Sequence, residues 1–150
     1  MSSMYCDFLI LNTEEEYREK FKSTYCSRKI LTHNGIEVLF HEDMFDHAFF
    51  RNRNRRNRDK SLFCTERAKR IMWIEKVLMD DKLIIYKGWN NSKKRYEDSR
   101  RTTLVTPDGY VVVIKLTGAN KARFVTAFVP DDQEVIDKIK GSPIFFDPNL

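Results

Sequence analysis

The sequence predicts an α+β fold, with helices in the first half packed on a C-terminal four-stranded antiparallel sheet, and three observations support this. Thr65 to Met79 repeats its apolar residues at helical spacing, with Ile71, Ile74 and Leu78 on one stripe and Trp73 and Val77 beside it. Four segments of high strand propensity follow: Leu83 to Tyr86, Thr102 to Thr106, Tyr110 to Leu116 and Arg123 to Val129. Thr106-Pro107-Asp108-Gly109 and Thr117-Gly118-Ala119-Asn120-Lys121 supply the turn residues that tight connections need between the last three, which reads as a meander.

In the first half, Thr13 is placed to cap a helix running to Ser23, with Glu16 three residues on and Tyr17 and Phe21 four apart on one face. Lys29 to Thr32 and Ile36 to Phe40 flank His33-Asn34-Gly35. Asn-Gly tolerates positive φ at both positions, so a β-hairpin is expected there. Asp43 opens a second short helix whose apolar stripe is Met44, Phe45, Ala48 and Phe49. Residues 51–60 have no apolar period and read as a solvated basic loop. In the tail, Gln133 to Ile139 has weak helical character before Gly141 and Pro143 end it.

A length of 150 residues suits one domain, and 41% hydrophobic with 33% charged residues suits a packed core under a charged surface. No apolar run approaches the roughly 20 residues that span a bilayer, so the expectation is a cytoplasmic protein without membrane contact. Cys6, Cys26 and Cys64 are odd in number and far apart, and are expected as reduced thiols. His33, His41, His47 and Cys64 match no common zinc spacing, and no cofactor is expected.

Charge is distributed unevenly. Residues 1–50 carry a net −4, residues 51–60 carry +5, and residues 87–101 carry +4, against +5 for the whole chain. Clustered positive charge of this kind points to a polyanion such as RNA. The first cluster offers Arg51, Arg53, Arg55, Arg56 and Arg58. The second offers Lys93, Lys94, Arg95 and Arg101, with Trp89 and Tyr96 available for stacking on bases. Either cluster is also compatible with a charged, solvated loop.

RNA is cut without a metal when a base deprotonates its 2′-hydroxyl and cationic donors stabilise the phosphorane. Histidine suits the proton transfers and arginine the phosphate. His47, beside Asp46 and four residues after Asp43, fits the first role, or else lies on a polar helix face. Arg67 falls four residues before Ile71 on the core-facing stripe, where a cation needs a partner. In Arg123 to Phe128, strict alternation would put Phe124, Thr126 and Phe128 on one face. Thr126 then reads as a tolerated strand former or as a functional hydroxyl.

Phe45-Asp46-His47-Ala48-Phe49, the helix Arg67 to Ile74, and the strands Tyr110 to Ile114 and Arg123 to Phe128 resemble the phage and mobile-element branch of the barnase, EndoU, colicin and RelE-like ribonuclease superfamily. The resemblance covers roughly residues 35 to 130. It implies one ribonuclease-like domain with a barnase- or RelE-like sheet and metal-independent cleavage of RNA. His47 would be the acid/base, Arg67 the phosphate ligand with Arg70 a less favoured neighbour, and Thr126 a positioning hydroxyl. It leaves residues 1–30 as an N-terminal extension. If the activity is toxic, it also implies an acidic inhibitor protein. A noncatalytic nucleic-acid-binding module has the same basic segments and no need of His47.

Overall fold

The computed structural model of the protein describes residues 8–51, 62–87, 89–90, 95–96, 101–130 and 132–148. It is α+β. Thr13 caps α1 (Glu14–Phe21), its hydroxyl accepting from the Glu16 N–H at 3.2 Å. The helix continues into a π-helical turn at Lys22–Cys26, beyond the predicted end at Ser23. The predicted hairpin forms from β1 (Ile30–Leu31) and β2 (Glu37–Leu39), with Ile30 opposite Val38 and Gly35 at φ 87°. Then come α2 (Met44–Phe49) and β3 (Phe50–Arg51), followed after residues 52–61 by β4 (Leu62–Phe63).

The single helix expected over Thr65 to Met79 is two, α3 (Thr65–Ala68) and α4 (Trp73–Met79). Between them the chain tightens to i→i−3 bonds: Arg70 N–H to Arg67 O, Ile71 to Ala68 and Trp73 to Arg70, at 2.9–3.2 Å. The Tyr25 hydroxyl bridges the break, donating to Ile71 O at 2.6 Å and accepting from Glu75 N–H at 3.1 Å.

The remaining elements are β5 (Ile85–Lys87), β6 (Trp89–Asn90), β7 (Arg95–Tyr96), β8 (Arg101–Val105), β9 (Val111–Gly118), β10 (Lys121–Phe128), α5 (Gln133–Lys140) and β11 (Ile144–Phe146). The expected four strands are neighbours and antiparallel in the order β5-β8-β9-β10. They do not make a four-stranded sheet, however, because the N-terminal hairpin and the tail each add to it. β2 joins β10 in parallel and β11 joins β5, giving seven strands in the order β1-β2-β10-β9-β8-β5-β11. Exposed backbone edges at both ends of the four attract these additions. β3 with β4, and β6 with β7, form separate two-stranded ribbons.

The N-terminal helices pack on one sheet face. At the centre Phe21 touches Tyr25, Phe40, Phe45, Phe49 and Phe124, with ring centroids 5.8–6.0 Å apart. Tyr17, Phe21 and Tyr25 therefore belong to the core. On the opposite face Val105, Val111, Val113, Val125 and Phe128 form a second cluster with Ile139 of α5.

A bulge in β10 overturns the predicted alternation there. Phe124 lies opposite Ile114 but Thr126 lies opposite Val113, so Val125 is an extra residue. Phe124 and Ala127 therefore face the main core, while Thr126 and Phe128 turn to the α5 face.

Candidate functional site

α2 runs directly into β3, and β4 leads into α3 through Cys64, so the two helices are the stems of one ribbon. Phe50 pairs with Phe63 and Arg51 with Leu62. The Cys64 N–H donates to Phe49 O at 2.8 Å, and the Arg67 guanidinium donates to Ala48 O at 3.2 Å. Arg67 is thereby latched to the residue that follows His47. The residues between the two strands, 52–61, include Arg53, Arg55, Arg56 and Arg58 and lie outside the described residues.

His47 is exposed in the last turn of α2, whose other side buries Phe45, Ala48 and Phe49. Asp43 stands at the helix start with no side-chain capping bond. Asp46, next to His47 in sequence, pairs with α1: the Arg18 guanidinium, stacked 4.5 Å from the centre of the Phe45 ring, reaches it at 2.7 Å and Glu14 at 3.0 Å. That pairing leaves α1 firmly docked on α2.

Arg67 is half-buried, and its guanidinium also lies 5.6 Å from the centre of the Phe128 ring. It thus stands where the helix layer meets the end of β10. The bulge places the half-buried Thr126 on the sheet face away from α2, the face that also carries Phe128, whose ring Arg67 approaches. Arg101 is on the Thr126 side, because it pairs with Lys115, one step from core-facing Ile114.

Register also exposes two cations that the strand pattern left unremarked. Lys115 lies opposite Arg101 on one side and Arg123 on the other. A lysine inside the apolar run Tyr110 to Leu116 was the available signal.

Of the second basic cluster, Arg95 lies in β7, while Lys93 and Lys94 lie outside the described residues. Arg70 has a structural place: its guanidinium lies beside the stacked pair Phe8 and Trp73, 5.2 and 5.4 Å from the two ring centres, and donates to Glu66 O. His33 sits in the hairpin turn, its ring 5.4 Å from that of Phe146, and His41 is exposed before α2.

Cys26 and Cys64 are free thiols, and burial together with Glu42 raises the Cys26 thiol pKa above its ordinary value. Among the described residues no three His, Cys, Asp or Glu side chains gather as metal ligands, and no helix is long and apolar enough to cross a membrane.

No family model, curated protein or solved structure matches this chain. The carried-over roles of His47, Arg67 and Thr126 therefore rest on the short motifs that suggest them.

Proposed function

We propose that this protein is an endoribonuclease that needs no metal. The observation that carries the reading is the latched stem: the helices bearing His47 and Arg67 are held together at Ala48 and lead into the loop holding the arginine run. RNA drawn in by that loop arrives beside an exposed imidazole and a guanidinium fixed by a carbonyl and a ring. His47 takes the 2′-hydroxyl proton, the 2′-oxygen attacks the adjacent phosphorus, and Arg67 neutralises the phosphorane. The 5′-oxygen leaves and is protonated, giving a 2′,3′-cyclic phosphate and a 5′-hydroxyl. An acidic inhibitor protein would complement this basic site.

One observation favours a second reading. Thr126 lies on the α5 face of β10, whereas α2, which carries His47, packs on the other face. A noncatalytic RNA-binding module needs only the basic segments. A gel-shift titration run beside a cleavage assay in EDTA separates the two. Cut product lost in His47→Ala supports the enzyme, whereas tight, salt-sensitive binding with intact RNA supports the module.

A further inference from the structure

The face of the sheet away from the N-terminal helices carries a file of three cations. Arg101 on β8, Lys115 on β9 and Arg123 on β10 are direct cross-strand neighbours. Directly opposed residues share a face with their Cβ atoms roughly 5 Å apart, so three positive charges stand abreast across three strands. Their flanking residues, Thr102, Ile114, Ala122 and Phe124, are buried toward the main core, which fixes the direction in which the three point. Arg123 is exposed, and Arg101 and Lys115 are half-buried.

Like charges directly opposed weaken a sheet. Several cations elsewhere are answered: Arg18 by Glu14 and Asp46, Arg28 by Glu75, Lys22 by Glu42 and Lys69 by Glu66. Among the described residues no carboxylate pairs with any of the three. The file also continues into the second basic segment, because Arg101 ends the net +4 stretch of residues 87–101, and the β6–β7 ribbon within that stretch packs against β8. At its other end it meets Leu39, exposed on β2 opposite Arg123.

We propose that Arg101, Lys115 and Arg123 form a track for the phosphate backbone of single-stranded RNA, crossing β8, β9 and β10 on the Thr126 side of the sheet. Charges in single file match one phosphate chain, and the bulge turns the Thr126 hydroxyl toward the same face. The proposal rests on the RNA reading above and extends it to the sheet face opposite the N-terminal helices.

The test is fluorescence anisotropy of a labelled single-stranded RNA over a range of salt concentrations. It compares wild type, the triple variant Arg101→Gln/Lys115→Gln/Arg123→Gln, and a control of equal charge change, Lys20→Gln/Lys22→Gln/Lys29→Gln. For single strands the slope of log affinity against log salt changes by about 0.7 per phosphate contact, so the track variant should lose about two units of slope. It should also bind tenfold or more weakly in ~0.1 M salt, with a melting temperature no lower than wild type, whereas the control keeps the wild-type slope. Wild-type slope and affinity in the track variant would overturn the track and leave the RNA reading standing. So would equal losses in both variants, which would reduce the effect to net charge. Absence of RNA binding by wild type would overturn both.

Discussion

The hydroxyl of Tyr25 serves two backbone groups that the break between α3 and α4 leaves without helical partners, Ile71 O and the Glu75 N–H. Tyr25→Phe should therefore cost about 1–3 kcal/mol in a denaturant titration, because both groups lose their bond in a buried place. Burial pushes the phenols of Tyr25 and Tyr110 above the ordinary value of 10.0. A raised pKa means that the stability is fully present below pH 10 and is lost as pH rises beyond it, since the unfolded chain releases those protons first. Melting temperature should fall above about pH 10, and less steeply in Tyr25→Phe.

His47 is exposed, so His47→Ala should leave stability within about 0.5 kcal/mol while reducing cleavage by about 10²–10⁴. Phe21 is the opposite case: buried among five rings, it should cost about 3–5 kcal/mol on truncation to alanine. Both positions were legible as apolar or titratable spacing. The pairing of Asp46 with Arg18 was not, since 28 residues separate the two and only packing of α1 on α2 brings them together.

Among the elements, the turns followed from sequence most directly because their chemistry is local. Two glycines of positive φ, Gly35 and Gly109, allow a graded comparison. A Cβ at Gly35 meets nothing within 4 Å, whereas one at Gly109 meets Ile136 Cδ1 at 3.0 Å. Gly35→Ala should cost about 1–2 kcal/mol from backbone strain alone, and calorimetry should show Gly109→Ala costing more, with part of the excess recovered by Ile136→Ala.

Periodic patterns were less faithful. The stripe Ile71, Ile74, Leu78 looked like one helix because i→i−3 turns keep residues three apart on one side, so a split leaves the pattern intact. The spacing of Tyr17, Phe21 and Tyr25 by four drifts forward on a 3.6-residue helix, and the wider turn at Lys22–Cys26 takes up that drift. In β10 one inserted residue was enough to send Thr126 to the other face, and nothing in Phe124-Val125-Thr126 marks it. β11 escaped notice because its three residues are all exposed, so alternation has nothing to register.

At the scale of the whole molecule, the partition of charge along the chain proved more informative than its total. The second basic segment contains the ribbon β6–β7, and the first runs between β3 and β4, whose ribbon springs from the stem that holds His47 beside the Arg67 latch. The four central strands could be read from propensity and turns. Their extension to seven could not, because pairing of β2 with β10 and of β11 with β5 joins segments far apart in sequence.

We propose that the latched stem cleaves RNA through the 2′-hydroxyl. Analysis of product ends after incubation of RNA with the protein in excess chelator tests it directly. Wild type should yield 2′,3′-cyclic phosphates and 5′-hydroxyls, and His47→Ala should leave the RNA intact. Cleavage that appears only when a divalent metal is added, or fragments bearing 5′-phosphates, would contradict it.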